Sequence, residues 1–356
     1  MEDKDILTLN LKNKELNKNF NLKIEYKDII IIYKIFAIII INIIIDVIII
    51  KLYFKKYQIN YTNFNNEEYL QMCYKSRALF YTKYRKIKMK SHNLNFNYSN
   101  LITIQEKLNY LLIHESPDYK SKIADKIKLH DYSIKVLGKD ICVPILKIYK
   151  NENEINLNEL PDKFVLKCNH GSAMNIICSD KSKFDINLAK KRLALWKNKN
   201  YGFDSSEFQY INIKREIFAE TYLKENIEDY KIYCFHGEPK FIRVQKKYIK
   251  NYKINNYYDI NWKLTDIETG LPHFIRKPEV QFQKPINFDM MIYYAKKLSK
   301  EFAFVRVDFY NLNGTIYLGE LTFTPSNLVF KLKNKNQSIN LGNLININKI
   351  KNYLYN

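Results

Sequence analysis

The sequence predicts an α+β fold. Two hairpin signals, several amphipathic helical stretches and a set of short apolar strands between them point to it. The strongest hairpin signal is FVRVDFYNLNGTIYLGELTFTP, residues 304–325, where two alternating runs flank Asn311-Leu312-Asn313-Gly314. Asn-Gly between such runs marks a tight turn, because both central residues need positive φ. The second hairpin, residues 229–244, turns at His236-Gly237-Glu238-Pro239. Helical periodicity covers residues 67–86, 103–114, 122–136, 188–197 and 288–301.

Taken in order, residues 1–28 form a polar, low-complexity tail. Residues 29–54 contain an isoleucine-rich apolar run long enough to cross a bilayer, interrupted by Lys34, Asn42 and Asp46. It reads as a membrane anchor or membrane-associated helix in preference to a buried core segment of an isoleucine-rich chain. The lysines and arginines that follow place the rest of the chain on the cytoplasmic face. Residues 65–150 form an N-terminal helical and α+β region. Thr103 and Glu106 have capping-box spacing for a helix through His114, and Pro117 ends that pattern. His92, His114 and His130 share no metal-ligand spacing, and residues 141–149 read as a strand.

Residues 151–341 carry the motifs. A short apolar strand at 163–168 bears Lys167 and runs into Asn169-His170-Gly171-Ser172. A lysine beside a small-residue loop can hold phosphates through backbone N–H groups and one point charge. A strand end with a surface lysine is equally compatible with this stretch. Residues 215–223 read as a strand. Asp229, Lys231 and Tyr233 alternate onto one face, and Arg243 and Gln245 share a face of the return strand. Residues 257–262 read as packing over the sheet. The chain after Lys331 is rich in Asn and Lys and reads as peripheral, with a tail at 342–356.

In the 304–325 hairpin, Arg306 and Asp308 share a face, as do Glu320 and Thr322. A regular two-residue turn would pair Asp308 with Gly319 and turn Glu320 away. A three-residue loop would put Arg306 opposite Glu320, with Asp308 on a diagonal. Asp308 and Glu320 therefore share a face only with an odd-length loop or a bulge. Two carboxylates and an arginine on one face make either a Mg2+ site or a cross-strand ion network.

The net charge of +21 accompanies an excess of Ile, Lys, Asn and Tyr. With no zinc spacing, RNP-like motif or concentrated basic helix, it argues against nucleic acid and for an anionic ligand or membrane surface. The five cysteines are widely spaced without a CxxC, which predicts reduced, buried thiols.

An ordered series of stretches resembles the TupA-like branch of the ATP-grasp superfamily. The series runs from Glu106-Lys107 and Asp125-Lys126 through LPDKFVLKCNHGS, DYKIYCFHGEP and YYDINW. KPINFDMMIYYAKKLSKEFAFVRVDFY and GELTFTP complete it. The resemblance implies an ATP-grasp fold, with two α+β subdomains clasping ATP. It implies that Lys167 and the Asn169, His170, Gly171 and Ser172 loop contact ATP phosphates. Glu220, Thr221, Tyr222 and Leu223 would lie beside adenine, Asp308 and Glu320 would hold Mg2+, and Arg306 and Lys231 would act at the reacting groups. The implied activity is an ATP-dependent carboxylate–amine ligase of surface polysaccharide or teichuronopeptide-type biosynthesis. Its partner would be an anionic glycan or lipid-linked glycan precursor. A glycosyltransferase of the same pathways and a non-catalytic ATP-binding protein at the membrane are the competing expectations. The sequence departs from the family pattern at Ala173 and Asn327, where glycines are usual. It also departs at Thr322, where other ATP-grasp enzymes carry the Asn of Glu-x-Asn, and at His130.

Overall fold

The computed structural model describes residues 6–13, 18–25, 81–82, 85–86, 100–247, 252–271 and 273–349. Residues 1–74 and 75–356 form two units. In the first, β1 (Ile6–Asn13) and β2 (Lys18–Glu25) pair antiparallel within the stretch read as a polar tail. The apolar run at 29–50, Cys73 and most of the 67–86 helical pattern lie outside the described residues. Among the described residues, no helix is long and apolar enough to cross a membrane.

The second unit opens with α1 (Ile104–His114), whose capping box is realised. The Thr103 hydroxyl accepts from the Glu106 N–H at 3.3 Å, and Glu106 Oε2 accepts from the Thr103 N–H at 2.8 Å. The pattern read as one helix over 122–136 is two, α2 (Pro117–Ala124) and α3 (Leu129–Leu137). Pro117 opens the first, where its missing N–H costs nothing. Burial of Asp125 explains the break between them. Its Oδ1 accepts from the Ile127 N–H at 2.9 Å, a local bond that competes with helix continuation. The break carries Lys126 out of helical register.

Four strands form one antiparallel sheet in the order β3 (Ile145–Tyr149), β6 (Ile217–Thr221), β4 (Phe164–Cys168), β5 (Asn175–Cys178). Phe164, Leu166 and Cys168 point to one side and join Ala189 and Leu193 of α4 (Ile186–Asn198) in a core. Alternation therefore leaves Lys167 on the other face. A short α5 (Tyr201–Asp204) follows α4.

The second sheet has the order β10-β9-β8-β7-β11-β12. Its strands are β7 (Asp229–Phe235), β8 (Glu238–Lys247), β9 (Lys253–Asp259), β10 (Phe274–Ile275), β11 (Phe304–Leu312) and β12 (Thr315–Thr322). Among the described strands, β10 pairs parallel with β9 and the others pair antiparallel. Tyr257 and Tyr258, expected to pack over this sheet, are instead part of it, in β9. Val305, Val307 and Phe309 of β11 are buried against Met291, Ala295 and Leu298 of α6 (Phe288–Ser299). Complete burial of each such side chain stabilises by about 1.5–3 kcal/mol. The cysteines bear out their reading: Cys142, Cys168, Cys178 and Cys234 are free and buried.

The chain after Lys331 is not peripheral throughout. In α7 (Lys335–Asn343), a Cβ at Gly342 would lie 2.4 Å from the Ile102 carbonyl oxygen and 2.9 Å from the Ile104 nitrogen. Ile345 beyond it is buried with Leu108 and Leu112 of α1. In an exposed helix, Gly→Ala stabilises by about 0.5–1 kcal/mol. Here Gly342→Ala should destabilise by about 1–3 kcal/mol, because backbone on both sides must move apart. Urea denaturation reads the sign, and a stabilised variant would mean that α7 does not pack on α1.

Candidate active site

The 304–325 hairpin turns through Asn313 and Gly314 alone, with φ of 50° and 80°, and Leu312 lies opposite Thr315. The odd-length loop is therefore not used. A bulge does its work: Phe309 faces Leu318, Asp308 faces Glu320, and Gly319 is the extra residue. Arg306 lies opposite Thr322, not opposite Glu320 as the three-residue loop would have it. The outcome is the shared face on which a paired-carboxylate site depends.

On that face the charges form a tight network. Arg306 grips Asp308 with Nε and Nη2, each at 2.6 Å, and Lys231 of the neighbouring β7 donates to Asp308 Oδ2 at 2.7 Å. Arg306 Nη2 also reaches Thr322 Oγ1 at 3.0 Å and Glu320 Oε1 at 3.2 Å. The Thr322 hydroxyl donates to the same Glu320 oxygen at 2.9 Å. Arg306 and Asp308 are each only 5% exposed. A buried fork of this kind fixes both side chains.

The four-stranded sheet contributes a second pair. Lys167 and Glu220 share a face of β4 and β6, on a diagonal, and form an ion pair. Between the two pairs sits Lys126. Its ammonium donates to the Gly171 carbonyl at 2.6 Å and lies 4.0 Å from Glu320 Oε2. Burial lowers the Lys126 pKa, the Lys167 charge adds to this, and Glu320 works against both. Burial alone would raise the Glu320 carboxyl, but Lys126, Arg306 and Lys231 outweigh it and hold it far below the usual carboxylate range. Sequence reasoning placed Asp125-Lys126 only as an opening-helix motif. The helical pattern over 122–136 reads as unbroken in the sequence, so it gave no separate signal for Lys126 as a site residue.

The loop after β4 divides its labour. Asn169 is buried and braced, donating to Asp125 Oδ1 and the Lys214 carbonyl at 2.9 Å and accepting from the Glu216 N–H at 2.9 Å. His170 is 1% exposed and its Nε2 lies 3.1 Å from the Trp196 carbonyl of α4. These two side chains anchor the loop. A Cβ on Gly171 would come within 2.8 Å of the Tyr201 ring. Ser172 and Ala173 are exposed, and Ala173 holds a left-handed φ of 58° where the family's glycine would be unstrained. At the end of β6, Thr221 gives its N–H to the Pro144 carbonyl at 3.0 Å, and the half-buried Tyr222 and Leu223 leave the sheet.

The donor set fits a hard divalent cation. Asp308, Glu320 and Thr322 present only oxygens, and Glu320 Oε2 accepts no hydrogen bond among the described residues. Asp308 Oδ2 accepts from both Lys231 and Arg306, whereas Oδ1 accepts from Arg306 Nε, which leaves Oδ1 a lone pair for a ligand. Asn327 is committed elsewhere. Its Oδ1 accepts from Arg85 at 2.7 Å, and its amide donates to the Ser205 carbonyl at 2.8 Å.

A model of the TupA-like ATPgrasp family matches residues 106–346, and the fold is accordingly an ATP-grasp fold. The chain belongs to the TupA-like ATPgrasp family. Among solved structures, D-alanine--D-alanine ligase from Bacillus anthracis aligns at 19% identity over 65% of this chain and 67% of that chain, with a TM-score of 0.36. Its ATP complex aligns at 14% identity over 82% and 94%, with a TM-score of 0.38. L-amino acid ligase from Bacillus licheniformis aligns at 11% identity over 56% and 42%, with a TM-score of 0.36. No curated protein matches.

Burial brings the His170 pKa down from 6.5 to about 4. The unfolded chain therefore takes up a proton that the folded chain refuses. Stability is full above about pH 6.5 and falls as the pH drops toward 4. In His170→Gln the loss of stability between pH 7 and pH 4.5 should shrink by roughly 1–3 kcal/mol, read by urea denaturation at both pH values.

Proposed function

We propose that the protein is an ATP-dependent ligase that joins a carboxylate to an amine through an acylphosphate, in surface polysaccharide or teichuronopeptide-type biosynthesis. The observation that supports this best is the convergence on Lys126 of two charged pairs. Lys167–Glu220 comes from one sheet, and the Asp308–Glu320 carboxylates come from the other. Such a cleft offers cations for a polyphosphate and oxygens for the metal that accompanies it.

Lys167 and the Asn169, His170, Gly171 and Ser172 loop receive the phosphates, and Lys126 ties that loop toward β12. Glu220, Thr221, Tyr222 and Leu223 border the base. Asp308 and Glu320 would hold Mg2+, which when bound neutralises phosphate charge and polarises the γ-phosphoryl group. A carboxylate oxygen of the substrate attacks the γ-phosphorus, and the bond to ADP breaks. Arg306 and Lys231 neutralise the charge on the transferring group. The amine nitrogen then attacks the acyl carbon, inorganic phosphate leaves, and the nitrogen gives up a proton. The basic balance of the chain and the apolar run at 29–50 favour an anionic or lipid-linked glycan precursor at the cytoplasmic face of the membrane.

Asp308→Asn and Glu320→Gln should each lower ADP release from Mg·ATP, in the presence of carboxylate-bearing glycan precursors, by about 100-fold or more. Hydroxylamine should trap the acyl group as a hydroxamate only with the unmodified chain. Unchanged ADP release from folded variants would contradict the metal assignment. Thermal stabilisation by UDP-sugars in preference to ATP would contradict the ligase reading.

A further inference from the structure

Next to the hairpin bulge lies a cluster of side chains that the cleft chemistry does not use. His130 stands on α3, and Asp140 and Cys142 follow in the segment that leaves it. One imidazole nitrogen, one carboxylate oxygen and one sulfur, a donor from each residue, all lie within 4.8 Å of one another. His130 Nδ1 is 2.7 Å from Asp140 Oδ2. Cys142 is buried, whereas the Asp140 side chain is 38% exposed, so the cluster opens to solvent on one side. A single histidine takes part, so no His–His spacing marks the cluster in the sequence.

The backbone around the cluster is fixed. Asp140 Oδ1 accepts from the Cys142 N–H at 2.9 Å, which leaves Oδ2 as the oxygen turned to His130. A hydrogen bond of this kind orients a carboxylate for metal ligation. Buried Ser133 of α3 holds the intervening turn. Its hydroxyl donates to the Lys139 carbonyl at 3.1 Å and accepts from the Ile141 N–H at 3.2 Å. Cys142 is flanked by the two bonds that join its segment to β12. The Leu318 N–H donates to the Ile141 carbonyl at 2.7 Å, and the Val143 N–H donates to the Leu318 carbonyl at 3.3 Å. Leu318 immediately precedes Gly319, the bulge residue that sets Glu320 opposite Asp308. A partly exposed histidine–aspartate pair contributes little to stability by itself and has no need of a thiol.

We propose that His130, Asp140 and Cys142 form a site for one Zn2+ ion that ties α3 to the edge of β12 beside the bulge. Tetrahedral zinc holds nitrogen, oxygen and sulfur donors roughly 3.3–3.6 Å apart. The imidazole and the carboxylate part by about 0.6 Å to admit the ion, and the sulfur closes on it. Thiolate, imidazole and carboxylate together select zinc over magnesium. The thiol gives its proton to solvent, and His130 donates the Nδ1 lone pair with its ring proton on Nε2. One thiolate and one carboxylate then balance the two charges of the ion. The fourth position faces solvent and takes a water. Zinc binding here is independent of the ligase reading.

The test is titration of the full chain, stripped with a chelator, with Co2+ followed by absorption and then with Zn2+. One equivalent of Co2+ should give the visible bands of tetrahedral cobalt and a near-ultraviolet thiolate-to-cobalt charge-transfer band. Zn2+ should abolish both, and millimolar Mg2+ should abolish neither. The charge-transfer band should be missing in Cys142→Ala. His130→Arg keeps an ion-pair partner for Asp140 and should weaken Co2+ binding by more than the roughly 10–100-fold that loss of a supporting hydrogen bond costs. One equivalent of Zn2+ should raise the melting temperature of the unmodified chain and of neither variant. A charge-transfer band that survives in Cys142→Ala would put the metal on another cysteine and overturn the proposal. Displacement by Mg2+, binding at millimolar Co2+ only (an adventitious ion only), or unchanged Co2+ affinity in His130→Arg would overturn it equally. If Cys142→Ala does not fold, the affinity of His130→Arg decides.

Discussion

The carboxylate of Asp308 is buried between an arginine on its own strand and a lysine on the next, and the arrangement of the cleft depends on that contact. Arg306 holds both oxygens and Lys231 holds one of them from across the β7–β11 ladder. Removing one partner from a buried pair typically costs about 3–5 kcal/mol, because the other charge is left uncompensated. Each of these residues therefore needs the others, and their strands must keep register. The bulge at Gly319 completes the set by bringing Glu320 opposite Asp308. Through Glu320 the network reaches Lys126, and through Lys126 it reaches the carbonyl of Gly171 in the loop after β4.

This chain of contacts gives the cleft its chemical character. Lys126, Lys167, Lys231 and Arg306 face Asp308, Glu320 and Glu220, so the carboxylates carry counter-ions. On the proposed reading, an incoming polyphosphate with a divalent cation would satisfy both signs at once, the cations turning to phosphate oxygens and the carboxylates to the metal. A site that exchanges internal ion pairs for ligand contacts has its side chains positioned beforehand.

Much of this was legible in the sequence where a local signal had a single structural meaning. The Thr103–Glu106 capping box, the Asn313-Gly314 turn and the 229–244 hairpin fall where their residues put them. The requirement that Asp308 and Glu320 need an extra residue to share a face was also readable, from strand periodicity. Which device supplies that residue was not, because an odd loop and a bulge satisfy the same alternation. Tertiary effects account for the remaining differences. The 122–136 pattern breaks because Asp125 finds a local bond and a buried partner in Asn169. Tyr257 and Tyr258 suit a strand as well as a covering loop. The Asn- and Lys-rich end is drawn into the structure by Gly342 and Ile345. Lys126 escaped notice as a site residue because only the packing of the two sheets shows that it lies between them.

The central claim is that Asp308 and Glu320 give up their ion pairs to a metal that arrives with ATP. Calorimetric titration with ATP, in Mg2+ and in EDTA, tests it most directly on the unmodified chain and on the Asp308→Asn/Glu320→Gln double variant. ATP should bind the unmodified chain at least about tenfold more tightly with Mg2+, a difference of about 1.4 kcal/mol, and this preference should disappear in the double variant. Equal affinity in Mg2+ and EDTA for the unmodified chain would contradict the claim and leave the carboxylates as a structural ion network.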